Sequence, residues 1–508
     1  MLLGRALAIA LVGLDGHVIE VEAHIASGLP CFTLIGLPDA ALHEARDRVR
    51  AAIANSGAAF PMQRLTLGLS PAALPKGGSG FDVAMAVSVL AAIEAVPPER
   101  AARTVFVGEL ALDGRLRPVT GVLPAVLAAV RAGHRDVLVP PANAGEARLV
   151  RQARVHTAAS LADVAALLHG RPIAVPADES MAPAPAAPVR EPDLAEVVGQ
   201  REARRGMEVA AAGGHHVLLS GPPGVGKTML AERLPGLLPD LEPDPALEVT
   251  AIHSLAGVLP AGGPLLTRPP FCGPHHTSSV AALVGGGTGL ARPGAISIAH
   301  RGILFLDEAP EFDRRSLDAL RQPLESGEVV LARHAGTTRY PCRFLLVLAA
   351  NPCPCGADGR QAAITCTCAP QARRRYLARL SGPLLDRIDL RLELNPVPRS
   401  EMLAEPVGVE PTSVVRSRVE AARERAATRL RGTPWRTNAE VPGAELRRRW
   451  PVPPRALRPV HAVFERGHLT ARGIDRVLRV AWTLADLDGS SVPSLQHVAE
   501  ALDYRLAA

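Results

Sequence analysis

This chain of 508 residues has few aromatic residues. It also lacks apolar runs of membrane-spanning length and a framework of paired cysteines. Phe, Trp and Tyr make up 3% of it, so its hydrophobic cores must be built from Leu, Val, Ala and Ile. No apolar run is long enough to span a bilayer. The apolar start passes into an alternating strand pattern at residues 18–22 without a convincing cleavage site, so we expect a buried strand pair there rather than a signal peptide.

Cysteine usage and charge indicate the setting and the partners. The seven cysteines, four of them clustered, do not resemble the disulfide framework of a secreted protein, and we therefore expect a cytoplasmic protein without membrane contact. Lysine and arginine number 56 against 50 acidic residues, which gives a net charge of +6. This mild basicity is compatible with a nucleic-acid partner but does not establish one.

Composition and periodicity predict an α/β protein in several parts. The length corresponds to roughly three domains of about 150 residues each. Alternating strand-like and helix-like segments indicate an α/β domain in residues 1–172, and residues 173–193, rich in Pro and Ala, have the composition of a linker. Residues 194–396 are typical of an ATPase core, and residues 397–508 carry helical periodicity and would form a lid.

A complete phosphate-binding loop lies between an apolar strand and a helix-like stretch. Its residues are Gly221, Pro222, Pro223, Gly224, Val225, Gly226, Lys227 and Thr228. Glycines let the backbone N–H groups face a β-phosphate, and the helix N-terminus adds partial positive charge. Lys227 supplies charge for the β- and γ-phosphates, and the Thr228 hydroxyl can ligate Mg²⁺. A chance glycine-rich turn would rarely follow a strand and precede a helix, so we predict ATP and Mg²⁺ as cofactors.

Two later apolar strands end in polar residues that suit ATP hydrolysis. Asp307 can hold Mg²⁺ directly or through water, and Glu308 can polarise the water that attacks the γ-phosphate. Asn351 follows a second buried strand and could reach the γ-phosphate or that water. The alternative for Asn351 is a turn residue before Pro352.

Two arginines are candidates for completing the site. Arg387 lies between acidic residues, which favours pairing within the chain, but it also suits a finger inserted into a neighbouring subunit's nucleotide site. Arg472, at the start of a predicted helix in the lid, could contact the γ-phosphate. Arg476 lies one turn later on the same face, so the choice between these two stays open.

The clustered cysteines form two C-x-C pairs, made of Cys353, Cys355, Cys366 and Cys368. Four thiolates this close in a cytosolic chain favour a tetrahedral zinc site. The spacing departs from the common C-x₂-C knuckle, and a loop of reduced cysteines is the alternative.

Longer strings of sequence carry a resemblance to a known family. They are FCGPHHTSSVAALVGGG at 271–287, RPGAISIAHRGILFLDEAPEF at 292–312, RQPLESGEVVLAR at 321–333, NPCPCG at 351–356, SGPLLDRIDL at 381–390 and GLPDAALHEARDRVRAAIANSG at 36–57. In these strings the chain resembles the ComM/YifB family of magnesium-chelatase-like AAA+ ATPases over essentially its whole length. The resemblance implies a Lon-protease-like α/β domain, a P-loop AAA+ α/β core with chelatase- and MCM-type insertions, and a C-terminal helical lid.

The same resemblance implies a function on DNA. The resemblance to ComM implies a hexameric ring helicase that promotes branch migration in homologous recombination and natural transformation. Its expected partner is single-stranded or branched DNA. Arg333, His334 and Arg339 would lie on a hairpin that tracks the nucleic-acid backbone, although a solvated hairpin is equally compatible with them. For His275 and His276 the resemblance favours a structural or pore-side role over metal binding.

The Lon-like domain lacks the residues of a protease. Active Lon-type domains use a Ser–Lys dyad, and the matching stretch places Gly80 where the nucleophile would be, with Ser79 one residue off. Residues 118–129 contain no lysine where the dyad needs one, so Ser79 would not be activated. We therefore expect a non-proteolytic module.

Besides the DNA motor, a chelatase-type remodeller that acts on a protein partner or drives metal insertion stays open, and an ATP-dependent protease is disfavoured.

Overall fold

The computed structural model describes residues 2–36, 40–76, 78, 80–173, 191–259, 263–287, 290–333, 336–355, 366, 368–398 and 409–506, with the side chains of residues 40–43 left aside. Among these described helices, none combines the length and hydropathy required to cross a membrane. The mixed α/β fold class predicted from the sequence is confirmed.

A seven-stranded mixed sheet organises residues 2–173. Its strands are β1 (Leu2–Val12), β2 (Asp15–Ala26), β3 (Cys31–Ile35), β4 (Arg64–Ser70), β5 (Val105–Phe106), β8 (Asp136–Val139) and β9 (Arg154–Thr157), and β6 (Glu109–Leu110) pairs separately with β7 (Leu116–Arg117). The helices are α1 (Ala40–Asn55), α2 (Asp82–Ala92), α3 (Pro98–Ala101), α4 (Val122–Arg131), α5 (Ala144–Ala147) and α6 (Leu161–Leu168).

The predicted strand pair at the start of the chain is present. Strands β1 and β2 run antiparallel from Leu2 opposite Ile25 to Val12 opposite Asp15. Helix α2 is buried along its whole length, and after Asp82, which pairs with Arg48 at 2.8 Å, it is built from Ala, Val, Leu, Met and Ser. The helix approaches β1 so closely that a Cβ at Gly4 would lie 2.1 Å from the Ser88 carbonyl oxygen.

A five-stranded parallel sheet forms the second unit. Its strands run in the order β11 (Phe271–Cys272), β14 (Ile303–Leu306), β17 (Leu345–Ala350), β10 (Val217–Ser220) and β18 (Leu390–Glu393), while β12 (Gly285–Gly286) pairs with β13 (Arg292–Pro293) and β15 (Glu328–Arg333) with β16 (Gly336–Pro341). Strands β14 and β17 are buried at every position, as expected of parallel strands covered on both faces.

Helices surround this parallel sheet. They are α7 (Arg201–Gly213), α8 (Lys227–Leu237), α9 (Pro243–Ala256), α10 (Val280–Val284), α11 (Ala295–Ile298), α12 (Arg314–Ala319), α13 (Arg321–Ser326), α14 (Pro370–Leu377) and α15 (Gly382–Leu385). Because all five strands are parallel, their carboxyl ends share one edge of the sheet and their amino ends share the other. Ligands of open α/β sheets bind beyond the carboxyl ends.

The C-terminal region is helical. It comprises α16 (Thr412–Arg429), α17 (Gly443–Arg449), α18 (Arg458–Glu465), α19 (Ala471–Leu487) and α20 (Leu495–Leu506). These helices share one hydrophobic core with a face of the parallel sheet, in which Val347 and Trp482 both take part. Arg429 donates to Asp486 at 2.6 Å and stacks over the Trp482 ring at 4.4 Å, which ties α16 to α19.

The two sheets are joined through helices α4 and α9. The Glu146 carboxylate is buried and accepts hydrogen bonds from the Leu123 amide at 2.7 Å and from the Ser254 hydroxyl of α9. The Gly121 amide donates to the Ser254 carbonyl at 3.2 Å. One buried acid therefore links the N-terminal unit to the ATPase-like unit.

Candidate nucleotide-binding site

The predicted phosphate loop connects β10 to α8, as its sequence requires. Gly224 and Gly226 have φ angles of +81° and +96°, a region that glycine adopts without strain. A Cβ at Gly221 would lie 2.4 Å from the Leu394 carbonyl oxygen, so only glycine fits there. The loop is therefore shaped by its glycines, and its amides and the start of α8 are available for an anion.

Lys227, the first residue of α8, is held inside the loop. Its Nζ donates to the carbonyl oxygens of Gly221 and Pro222 at 2.6 and 2.8 Å, and to the Asn351 side-chain oxygen at 2.8 Å. Burial lowers the pKa of Lys227, while Asp307 and Glu308 act in the opposite direction. If a triphosphate bound here, the Lys227 ammonium group would exchange these neutral acceptors for charged phosphate oxygens, which bind it more strongly.

The acidic residues reach this loop from β14, which is separated from β10 by β17. The Thr228 hydroxyl donates to the Asp307 carboxylate at 2.7 Å, so the two oxygen ligands predicted for Mg²⁺ are adjacent. A hydroxyl and a carboxylate beside a phosphate loop fit the hard oxygen ligands that Mg²⁺ prefers. Glu308 adopts φ +49°, and its side chain is about half exposed, within reach of water.

Asn351 stands directly after β17, between β14 and β10 in the sheet. Its contact with Lys227 places it at the phosphate loop rather than in an isolated turn. Lys227, Thr228, Asp307 and Asn351 thus converge from three strands at the carboxyl edge. Their catalytic roles stay predictions.

Arg387 and Arg472 lie elsewhere. Both line a cavity of about 900 Å³ that also includes His216, Gly302 and Leu345 from the amino ends of the strands. Arg387 forms an ion pair with Glu325 and donates to the Pro383 carbonyl at 2.6 Å. Arg387 therefore pairs within the chain, but its partner is Glu325 and not one of the acidic residues next to it in the sequence.

The two arginines of α19 have different surroundings. Arg476 pairs with buried Asp389 at 2.5 Å. Burial acts to raise the pKa of Asp389, and the charges of Arg476 and His215 outweigh it and hold this pKa well below its usual range. Arg472 is 79% exposed, and its Nη1 lies 3.8 Å from Asp386. Of the two, Arg472 is the one available to a ligand.

The four clustered cysteines converge. The sulfur atoms of Cys353, Cys355, Cys366 and Cys368 all lie within 4.8 Å of one another, and among the described residues they form the one group suited to a metal ion. The sulfurs of Cys353 and Cys366 are 3.5 Å apart and those of Cys353 and Cys355 are 3.4 Å apart. These separations exceed a disulfide bond and approach the edges of a tetrahedron with metal–sulfur bonds of about 2.3 Å.

The remaining candidates are partly visible. Arg333 ends β15 and Arg339 lies in β16, so both occupy the predicted hairpin and both are exposed. His334 and Ser79 lie outside the described residues. Lys76 is buried and donates to the carbonyls of Gly36, Pro71 and Leu74, so it fastens its own loop to the residue that follows β3.

One contact was not foreseen from the sequence. His276 Nδ1 lies 3.5 Å from the Glu308 carboxylate. His276 closely follows β11 and Glu308 follows β14, so the sequence places both residues after strands. The sequence alone does not show that these two strands are neighbours, which is why the contact was missed.

The AAA+ class of P-loop proteins is defined by a parallel sheet with a phosphate loop, a helical lid and acids at the end of a strand that one further strand separates from the loop's own strand. The family described as "Magnesium chelatase, subunit ChlI" matches residues 193–402. Further models of this subunit match residues 21–143 and, for its C-terminal part, 409–505.

Full-length relatives specify the family. The chain is 55% identical over 505 residues to an uncharacterized protein of Mycobacterium tuberculosis, covering 99% of both chains. It is 42% identical over 499 residues to uncharacterized protein YifB of Escherichia coli and 40% identical over 499 residues to competence protein ComM of Haemophilus influenzae, in each case over 98% of this chain and 96% of the relative. The chain belongs to the ComM/YifB family of magnesium-chelatase-like AAA+ proteins. A shorter match to Lon protease of Salinispora arenicola, 32% identical over 176 residues, covers 32% of this chain and 22% of that protein.

Proposed function

We propose that this protein is an ATP-hydrolysing ring motor that acts on DNA in the cytoplasm. The observation that carries the proposal is the division of the site between the two edges of the parallel sheet. Lys227, Thr228 and Asn351 meet at the carboxyl edge, whereas Arg387 and Arg472 border the cavity at the amino edge. One chain cannot bring both groups to the same nucleotide, but a neighbouring copy can supply the arginines.

Within one chain, each residue has a distinct role in this proposal. Lys227 binds the β- and γ-phosphates, and Thr228 and Asp307 hold Mg²⁺. Glu308 accepts a proton from the attacking water, and Asn351 orients that water or the γ-phosphate. The hydrogen bond between Asn351 and Lys227 supports this role, because it holds the Asn351 side chain beside the residue that would bind the phosphates.

The DNA assignment rests on the hairpin and the relatives. Arg333 and Arg339 are exposed on opposite strands of β15–β16, where their charges can follow a phosphate backbone without reading bases. Similarity to competence protein ComM over nearly the whole chain supports a role in DNA uptake or recombination. We infer a hexameric helicase that promotes branch migration in homologous recombination and natural transformation.

Strand-displacement and branch-migration assays with purified protein, ATP and Mg²⁺ test this function. We expect ATP-dependent displacement and an ATPase rate that rises with single-stranded DNA. Lys227→Ala should abolish both, and Arg333→Ala with Arg339→Ala should remove the DNA response while ATP binding persists. A protein that binds no DNA at any salt concentration contradicts the proposal.

The match to the magnesium chelatase subunit favours one second candidate, a remodeller that acts on a protein partner or drives metal insertion. This candidate predicts an ATPase that does not respond to DNA and to the loss of Arg333 and Arg339. The same ATPase measurement, with and without DNA, therefore separates the two functions.

We also propose that the cysteine cluster holds one structural zinc ion. Cys353 follows Asn351 by two residues, so a metal there would anchor the loop that presents Asn351 to the phosphate site. Metal analysis of protein purified without chelator should give about one zinc per chain. Cys355→Ser should lower that content, while the exposed Cys31→Ser should not. A folded protein without metal refutes the site.

For the N-terminal domain, residues 1–172, we propose a non-proteolytic role in assembly or nucleic-acid binding. Lys76 is occupied by three carbonyl oxygens and is not placed as the base of a dyad with Gly80, which has no nucleophile. Unfolded casein should therefore stay intact in the presence of the protein and ATP. Its degradation would restore the protease alternative.

A further inference from the structure

The backbone around Arg387 is fastened to the last helix of the chain. Arg505, in the final turn of α20, donates from Nη1 to the Ile388 carbonyl oxygen at 2.5 Å and from Nη2 to the Asp386 carboxylate at 3.0 Å. These two acceptors belong to the residues immediately before and after Arg387. One guanidinium group therefore spans the position of Arg387, and its planar fork holds both neighbours at once.

Arg505 is itself firmly placed. Its side chain is only 9% exposed, and Ala501 and Leu502 of the same helix lie in the core that the lid shares with the parallel sheet. Ile388, whose carbonyl it binds, is fully buried. A hydrogen bond is electrostatically stronger in a protein interior than in water, so this contact holds the segment more firmly than a surface contact would.

A second helix of the lid holds the same segment one residue further on. Arg476 of α19 pairs with Asp389 at 2.5 Å, and His215 Nδ1 lies 3.4 Å from the other oxygen of that carboxylate. His215 is in turn hydrogen-bonded at 2.8 Å to the hydroxyl of Thr483, which also belongs to α19. Helix α19 thus reaches Asp389 twice, once directly and once through a buried histidine.

The side-chain contacts of Arg387 itself are weaker than those of its backbone. Its ion-pair partner Glu325 is 65% exposed, and an ion pair with so exposed an acid contributes little, so a phosphate oxygen can replace it. Its other acceptor, the Pro383 carbonyl, lies one turn earlier in the same short segment and moves with it. The direction of the Arg387 side chain therefore depends on the backbone that carries it, and hence on the lid.

We propose that Arg505 is a positioning residue for ATP hydrolysis in the neighbouring subunit and that it acts through Arg387. The inference rests on the proposed function, in which Arg387 completes the nucleotide site of the next chain. The last helix sets the direction in which Arg387 points, and Arg476 steadies the residue two positions further on. The lid of one chain thereby controls the reaction in another.

Loss of this contact should lower the rate and leave nucleotide binding intact. Arg505→Gln should reduce kcat about ten- to hundredfold, because a displacement on the order of 1 Å at a reacting centre costs this much. ATP affinity should stay at the wild-type value, since Lys227 and Thr228 lie at the opposite edge of the sheet. Arg505→Lys should regain part of the rate, because an ammonium group can reach one of the two acceptors but cannot bridge both.

A double-mutant cycle with Arg387 distinguishes positioning from general support of the fold. If Arg505 acts through Arg387, adding Arg505→Gln to Arg387→Ala should lower kcat no further, whereas independent losses multiply. Phosphate release from radiolabelled ATP measures kcat, and fluorescent-nucleotide titration measures affinity. Arg423→Gln is the matched control and should keep kcat near that of the wild type, because this buried lid arginine donates to the Ala211 carbonyl at 2.7 Å instead of to the segment of Arg387.

The outcomes separate the inference from the function beneath it. A wild-type kcat in Arg505→Gln overturns the inference, and so does an equal further loss in the Arg387→Ala background. Weaker ATP binding by Arg505→Gln also overturns it, because it indicates general damage to the lid. A wild-type kcat in Arg387→Ala instead overturns the proposed sharing of the nucleotide site between two chains.

Discussion

Replacing Lys227 by methionine should abolish ATP hydrolysis while leaving the chain folded. Methionine keeps most of the side-chain length but removes three hydrogen bonds, to Gly221, Pro222 and Asn351. Water can replace the ammonium group at the half-buried Pro222 carbonyl, whereas the Gly221 carbonyl is buried and loses its donor. The burial that lowers the pKa of Lys227 also means that losing the charge recovers desolvation energy. We therefore expect a change of at most about 2 kcal/mol in the free energy of unfolding.

The catalytic loss should be larger than the loss of stability. Removing one group that stabilises transition-state charge costs about 2.7–4 kcal/mol, which is a factor of about 10²–10³ in rate. Phosphate release measures the rate and thermal denaturation measures folding. Lys76→Met is the matched control, because Lys76 is also buried against three carbonyl oxygens but lies in the N-terminal domain. Hydrolysis by Lys227→Met within threefold of the wild type, or equal loss in Lys76→Met, would refute the assignment.

Three further predictions follow from other positions. Gly221→Ala should weaken nucleotide binding at least about tenfold, since its Cβ would contact the Leu394 carbonyl and displace the loop; fluorescent-nucleotide titration measures this, and unchanged affinity would contradict it. Burial lowers the pKa of His216 to about 4, so the folded state binds fewer protons than the unfolded state below about pH 6.5. Stability should then fall by about 2 kcal/mol between pH 7 and pH 5, and His216→Asn should reduce that slope in urea denaturation. Glu146→Ala should cost about 1–3 kcal/mol by leaving the Leu123 amide and the Ser254 hydroxyl without their acceptor, which thermal denaturation would detect.

Much of the fold was readable because local pattern and tertiary structure agree. The strand Val217–Ser220 precedes the phosphate loop and the helix Lys227–Leu237 follows it, in the order that the sequence predicts. Parallel strands buried on both faces leave continuous apolar runs, and a phosphate loop requires a strand before it and a helix after it. Helix ends are harder to read from local pattern: α2 ends at Ala92, and two residues later Glu94 adopts φ +57°, which a helix cannot contain.

The candidate site was readable only as far as chain order determines it. Lys227, Asp307 and Asn351 each follow a strand, and parallel strands bring their ends together, so their meeting could be expected. The partner of Arg387 and the contact of Lys76 with Gly36 depend on residues far apart in the chain, which no local pattern specifies. The same holds for the pairing of Arg476 with the buried Asp389, which leaves Arg472 as the more exposed of the two arginines.

In the proposed ring, the separation of Lys227 from Arg387 across the sheet means that each nucleotide site would be shared by two chains. If a neighbour supplies Arg387, a subunit without Lys227 still carries a working arginine edge, and a subunit without Arg387 still carries a working phosphate loop. Mixing the two inactive populations in equal amounts would then reconstitute about one quarter of the sites. Two proteins that are each silent alone would regain hydrolysis together, and a subunit with one of these defects would impair one of the two junctions it touches and leave the other intact.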